Sequence, residues 1–199
     1  MKITDIIFAL VCGKVVGFVI GEILTGLGFN SSIYLFVFLW VMLPLMALCG
    51  LWLAFLIGRK MIFVFEGAKF FLVGAFCTVI DLKFFELLVW VFTFIIFVDP
   101  LIFKSISFIL ATSLKYWGNK YWAFGKHEKE DMGKEISKFF VITLLGLVVD
   151  IGIFYYATKI LGPQFGLNFA IWTKVSVIAS AIGAALFNFI GYKFLVFKK

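Results

Sequence analysis

Two carboxylates occupy matching positions in a repeated sequence. The stretch KFFLVGAFCTVIDLKFF, residues 69–85, returns as KFFVITLLGLVVDIGIF, residues 138–154, at a constant offset of 69 residues, and each copy contains one aspartate, Asp81 or Asp150. Each aspartate follows the first lysine of its copy by twelve residues, or about 18 Å along a helix. A carboxylate that deep in a bilayer is costly unless it meets a polar partner, so it is a functional candidate by default. The alternative is a structural hydrogen bond to a neighbouring helix.

A second pair of segments repeats at an offset of 73 residues. KYWGNKYWAF, residues 115–124, returns as NFIGYKFLVF, residues 188–197. A lysine near the inner membrane surface can hold an anionic phosphate, because its amine reaches the interface while its stem stays in lipid. For Lys115, pairing with Asp81 and simple extension to the interface are the alternatives. The candidate substrate contacts in these segments are Lys115, Asn119, Lys120, Asn188 and Lys193.

The first apolar segment contains a lysine beside a stripe of glycines. In GKVVGFVIGE, residues 13–22, glycine recurs every four residues, a spacing that allows close packing of membrane helices. Lys14 lies beside the first glycine. We count it as a further candidate substrate contact, and it could also form an ion pair with one of the buried acids. Lys83 and Glu86 are three residues apart, so we expect them to pair on one helix face in a structural role.

The composition indicates an integral membrane protein. Of the 199 residues, 64% are hydrophobic and 15% charged, and the mean hydropathy is +1.13. Segments of about 20 apolar residues are long enough to cross a membrane as helices. They predict an all-α protein with six transmembrane helices, at Ile6–Leu27, Ser32–Ile57, Phe70–Ile96, Leu101–Trp122, Phe139–Ile160 and Leu167–Phe189.

The basic residues predict the orientation. They concentrate in the connections that follow the second and fourth predicted helices and at the end of the chain. The positive-inside rule then places both termini in the cytoplasm and makes the protein a multi-pass component of the cytoplasmic membrane. The net charge of +7 fits this topology and attraction to anionic lipids. We therefore expect membrane lipids, and no nucleic acid, among the partners.

The repeats predict the domain organisation. Residues 1–60 form a two-helix extension, and residues 66–199 form a four-helix domain with repeats at 69–124 and 138–197 and a charged cytoplasmic linker at 125–137. Each repeat crosses the membrane twice, so the two copies have the same orientation, as in parallel-repeat transporters. Repeats of this kind predict a site between the two halves.

The sequence lacks the motifs of nucleotide and metal chemistry. It contains no P-loop, no glycine-rich dinucleotide fingerprint, no D-x-D pair and no H-E-x-x-H. The three cysteines are scattered among predicted helices and have neither a disulfide-framework nor a metal-site spacing. We therefore predict no cofactor, no metal and no catalytic residue, and hence a protein that is not an enzyme.

Two motifs match a known family. K-F-F-x-V-G-x-x-x-T-x-x-D at Lys69–Asp81, followed by N-K-Y-W-A-F at Asn119–Phe124, resembles the GtrA-like family of small membrane proteins, and the second repeat ends in the similar N-F-x-x-Y-K-F-x-V-F. The likeness covers residues 66–199. Two features depart from the family pattern: Lys115 stands where the motif N-[FY]-x-x-N-[KR] begins with asparagine, and residues 1–60 lie outside the usual four-helix unit.

The resemblance implies a role in making cell-surface polysaccharides. It implies that the chain is a flippase for polyprenyl-phosphate-linked sugars, or else a non-transporting partner subunit of a polyprenyl-phosphate glycosyltransferase. A proton-coupled transporter of small cations is a third class, in which the two acids would be the coupling sites; the excess of buried lysines argues against it. The sequence leaves homo-oligomerisation open.

Overall fold

The computed structural model of the chain describes residues 1–26, 33–92, 100–127, 131–166 and 168–197. Within these ranges there are no strands, in agreement with the predicted all-α class. The α-helices are, in order, α1 (Ile3–Gly26), α2 (Ile33–Gly58), α3 (Ile62–Phe92), α4 (Pro100–Trp117), α5 (Met132–Tyr155) and α6 (Phe169–Gly191). The predicted helix limits at Leu27, Ser32, Ile96 and Leu167 lie outside the described residues.

Four helical segments in the described part of the chain are long and apolar enough to cross a membrane. They are Ile3–Glu22, Val37–Gly58, Met132–Leu161 and Ala179–Val196. Helices α3 and α4 are not among these four segments. The chain is therefore a helical membrane protein, and the figure of six crossings stays a prediction.

The chain packs as two compact units. The first, Met1–Gly125, contains α1 to α4, and the second, Lys126–Lys199, contains α5 and α6. The N-terminal hairpin thus packs with the first repeat. Within that hairpin, the glycine stripe of α1 lies against α2: a Cβ built on Gly13 would lie 2.6 Å from the Pro44 nitrogen, and one built on Gly17 would lie 2.8 Å from the Leu39 carbonyl oxygen. The two backbones therefore meet closely, as the stripe predicts.

Two ion pairs connect α1 to α3 at opposite ends. The Asp5 carboxylate lies 2.7 Å from Lys69 Nζ, and Glu22 pairs with Lys83. Residue numbers rise in both helices between the two pairs, so α1 and α3 run parallel. Lys83 also pairs with Glu86 at 2.8 Å, as their spacing predicts.

The sequence repeat is also a repeat of packing. In the first unit Gly118 approaches Val73 so closely that a Cβ on the glycine would lie 2.9 Å from Val73 Cγ1. In the second unit Gly191 approaches Ile142, where the corresponding distance to Cγ2 is 2.6 Å. Residues related by the offsets of 69 and 73 thus make the same contact within each unit.

The ends of the two repeat hairpins also share a backbone conformation. Each final helix passes into a π-helical turn, at Gly118–Ala123 in the first unit and at Tyr192–Val196 in the second. The ring centroids of equivalent phenylalanine pairs lie at similar distances, 6.5 Å for Phe70–Phe124 and 6.3 Å for Phe139–Phe197. The equivalence of the repeats can therefore be used residue by residue.

Candidate functional site

Asp81 is hydrogen-bonded to the neighbouring helix. The buried hydroxyl of Ser107 in α4 donates a 2.7 Å hydrogen bond to Asp81 Oδ1, and Asp81 itself is half-buried. This bond lowers the cost of placing a carboxylate among apolar side chains. Sequence reasoning missed Ser107, although the repeat offset of 73 residues links it to Ser180, which is also buried.

Asp150 has a vacant hydrogen-bonding position. It is half-buried in α5, and its Oδ1 atom is buried without a hydrogen-bond partner among the described residues. An unsatisfied carboxylate oxygen in an apolar environment is unfavourable. It is therefore available to a hydrogen-bond donor that is not a described part of the chain.

Lys115 and Asn119 lie one helical turn apart at the end of the first repeat hairpin. Lys115 is half-buried, and its amine lies 5.9 Å from the centroid of the Phe70 ring. The predicted alternative, an ion pair with Asp81, is not formed, and no other described carboxylate pairs with this amine. Asn119 is fully buried, and neither atom of its amide has a partner in the described residues. A cation and an amide are thus both left to interact with a ligand.

Lys120, which we count among the candidate substrate contacts near the inner membrane surface, is fully buried. It follows the buried Tyr116 by one turn, shares its inward face, and donates a 3.3 Å hydrogen bond to the tyrosine hydroxyl. Its repeat mate Lys193 is half-buried, with its amine 6.0 Å from the centroid of the Phe189 ring and 5.8 Å from that of Phe194.

The second unit places a neutral amide where the first has Lys115. Asn188 lies against Gly146, on which a Cβ would be 2.6 Å from Asn188 Cγ. Asn188 Oδ1 is buried without a partner among the described residues. The residue equivalent to Gly146 is Cys77, which is close enough to Lys115 to interact with it electrostatically. The two repeats therefore present different chemistry at one position, a cation and a hydrogen-bond acceptor.

Lys14 belongs to α1 of the first unit. Its side chain is exposed, and its amine lies 4.5 Å from the centroid of a Trp40 ring. Both residues line an apolar groove of about 360 Å³ that Lys83 also borders. Lys14 does not pair with a buried acid in the described residues, so that expectation is wrong for this part of the chain. A lysine near the middle of a membrane helix is costly in lipid, so it remains a candidate contact.

One polar cluster was missed by sequence reasoning. Asp5, Lys69 and Trp122, the Asp5 cluster, join the start of α1 to the first repeat. Asp5 is only 2% exposed; besides its ion pair it accepts hydrogen bonds of 2.9 Å from Trp122 Nε1 and 2.8 Å from the Lys2 backbone amide. In the sequence, Lys69 indicates only where a helix enters the membrane. No motif relates residue 5 to residue 122, so the cluster could not be predicted.

Comparison with known proteins identifies the family. The chain matches the family described as GtrA/DPMS, transmembrane domain, over residues 69–197, more than half of its length. The chain belongs to the GtrA/DPMS transmembrane-domain family. The matched range begins at Lys69 and ends with the second π-helical turn, so the GtrA/DPMS domain comprises the two repeat hairpins. Helices α1 and α2 precede it.

A bacterial relative resembles this GtrA/DPMS protein over most of its own length. The "Uncharacterized membrane protein YwcD" of Bacillus subtilis (strain 168) is 28% identical over 132 residues, which cover 65% of this chain and 94% of the relative. No solved structure matches the chain. The name of the relative describes a membrane protein, which is consistent with the apolar helices of this chain, and it specifies no ligand.

Proposed function

We propose that this GtrA/DPMS protein moves a polyprenyl-phosphate-linked sugar between the leaflets of the cytoplasmic membrane and catalyses no reaction. The observation that carries the proposal is the pair formed by Lys115 and Asn119. Lys115 has no acidic partner among the described residues, and the buried amide of Asn119 has no hydrogen-bond partner there. A phosphate supplies what both lack, a negative charge and several acceptor oxygens.

Polar groups farther along the helices suit the sugar. Asp81 and Asp150 occupy equivalent positions in α3 and α5, and Asp150 Oδ1 and Asn188 Oδ1 have no hydrogen-bond partner within the described residues. Sugar hydroxyls donate hydrogen bonds to such oxygens. A headgroup that crosses a bilayer needs partners of this kind, because each unsatisfied polar group costs several kcal/mol in hydrocarbon.

The groove at Lys14 suits the lipid part of the same ligand. Its walls are mostly apolar side chains of the first unit, together with Lys14 and Lys83. A polyprenyl chain would bury apolar area on these walls, while Lys14 attracts the phosphate. Lys14 thereby becomes a second phosphate contact, separate from Lys115.

Transport can be measured with the purified protein in liposomes that contain a short-chain polyprenyl-phosphoryl sugar. Wild-type protein should accelerate translocation over empty liposomes. Lys115→Asn, which introduces the residue that the second repeat has at the equivalent position, should slow it roughly 10- to 100-fold, because hydrogen bonds to a charged group contribute about 1.5–3 kcal/mol. Lys159→Asn is the matched control, because it removes the same charge from an exposed side chain and should leave the rate unchanged.

A partner subunit of a polyprenyl-phosphate glycosyltransferase is the second candidate. The extra hairpin favours it, since α1 and α2 lie outside the matched family range yet both pack on α3, to which α1 is also joined by two ion pairs. They enlarge the surface on which an enzyme can assemble. If wild-type protein gives no acceleration in liposomes, while its deletion from cells lowers the membrane-bound glycosyltransferase activity, this function replaces transport.

A further inference from the structure

A groove on the second unit has one lysine at its rim. It measures about 380 Å³ and is lined by Ser137, Lys138, Val141, Ile142 and Leu195; we call it the Lys138 groove. Lys138 is exposed and pairs with no carboxylate among the described residues, while Val141 and Leu195 are 54% and 58% exposed. The groove therefore combines an available cation with an open apolar floor.

The internal repeat shows which structure covers the equivalent face of the first unit. The residues at the same repeat positions there are Ala68, Lys69, Leu72, Val73 and Trp122. Helix α1 lies on them. Its Asp5 forms the 2.7 Å ion pair with the repeat lysine and accepts the hydrogen bond from the indole. The exposed fraction of the lysine side chain is only 11% as a result.

Apolar contacts extend this docking along α1. Phe8, three residues after Asp5, packs on the Trp122 ring with the ring centroids 4.2 Å apart. The Cys12 thiol, one turn farther, donates a 3.7 Å hydrogen bond to the Leu72 carbonyl oxygen. One side of α1 thus presents an acid, an aromatic ring and a small residue in succession to the first repeat.

We propose that the Lys138 groove docks a membrane helix of a partner protein, with a carboxylate near its cytoplasmic end and an aromatic side chain about one turn farther along. The lysine and the apolar floor of this groove are the repeat equivalents of the residues on which α1 packs in the first unit. Leu195 replaces Trp122, so binding relies on the ion pair and apolar contact without an indole donor. The chain's own α1 is held by the Asp5 cluster, so the occupant is another protein. This inference does not rest on transport.

The test uses α1 itself as the probe. The full chain, with its native cysteines replaced and with Val141→Cys introduced, is reconstituted in lipid nanodiscs. A peptide of residues 1–26, which contains Cys12, is then added. Position 141 is the repeat equivalent of Leu72, so the peptide's Cys12 should form a disulfide with it under mild oxidation. The matched control is Ile190→Cys, a position outside the groove with almost the same exposed fraction, 55% against 54%.

Docking predicts about tenfold more disulfide at position 141 than at position 190, and about tenfold less when the peptide carries Asp5→Asn or the chain carries Lys138→Ala. Equal crosslinking at both positions overturns the proposal. The proposal is also overturned if neither Asp5→Asn nor Lys138→Ala changes the yield of disulfide while Lys138→Ala reduces the amount of anionic lipid that the protein retains. The groove is then a lipid site. A disulfide between two co-expressed copies, one with Val141→Cys and one with native Cys12, also overturns the proposal in favour of a second copy.

Discussion

Replacing Asp5 with asparagine tests what holds α1 on the first repeat. The substitution keeps the side-chain shape and an oxygen that can accept the hydrogen bond from Trp122 Nε1. It removes the negative charge that faces Lys69 across 2.7 Å. We expect α1 to lose much of its attachment at this end, because a buried lysine is left without its counter-ion.

The burial of this ion pair determines how much the free energy of unfolding should fall. The side chains of Asp5 and Lys69 are 2% and 11% exposed, and breaking a buried pair of this kind costs about 3–5 kcal/mol. Part of that cost is offset, because the lysine amine keeps cation–π contacts with the rings of Phe65 and Trp122, at 4.4 and 5.3 Å, worth about 1–2 kcal/mol together. The free energy of unfolding should therefore fall by about 1–4 kcal/mol.

The measurement is reversible unfolding in mixed micelles, titrated with a denaturing detergent and followed by tryptophan fluorescence. Asp131→Asn is the matched control, because it removes the same charge from a pair with Lys134 whose side chains are 64% and 76% exposed; it should change the free energy of unfolding by less than about 0.5 kcal/mol. If Asp5→Asn is no more destabilising than this control, the Asp5 cluster does not hold α1, and the first repeat no longer indicates what the Lys138 groove binds.

Further predictions follow from single contacts and from the topology. Gly13→Ala should lower the free energy of unfolding by about 1–3 kcal/mol, since its Cβ would meet the backbone at Pro44, whereas Gly50→Ala, with open space around it, should not destabilise; the same micelle titration compares them. Ser107→Ala should cost about 1–2 kcal/mol by removing the donor to Asp81, and an Asp81→Ala background, which has no side-chain acceptor, would contradict the assignment if that cost persisted in it unchanged. A cysteine in the linker between the units should react with an impermeant reagent only after permeabilisation, and labelling in intact cells would refute the cytoplasmic orientation.

Features that depend on local spacing could be predicted from the sequence. The repeat offsets follow from duplicated motifs, and equivalent residues keep their neighbours, as Gly118 on Val73 and Gly191 on Ile142 illustrate. The contact of Lys83 with Glu86 is set by helical geometry, and it was likewise predictable. Such features depend on residues that lie close together in the sequence, so the sequence alone predicts them.

Contacts between distant helices could not be predicted. Asp5 and Trp122 are 117 residues apart, and which acid meets which donor depends on how α1 lies against α3. Burial of Lys120 escaped prediction for the same reason: a lysine beside aromatic residues near a helix end is compatible with the interface and the interior alike. Only the packing of Tyr116 decides between them.

The parallel ion pairs between α1 and α3 have a consequence for biosynthesis. Asp5 emerges from the ribosome 64 residues before Lys69, and Glu22 emerges 61 residues before Lys83. At about 5–20 residues per second, each acid waits roughly 3–13 s for its counter-ion. During that interval both carboxylates lack the lysines that pair with them in the folded chain. The packing of the first helix is therefore completed only when the third arrives.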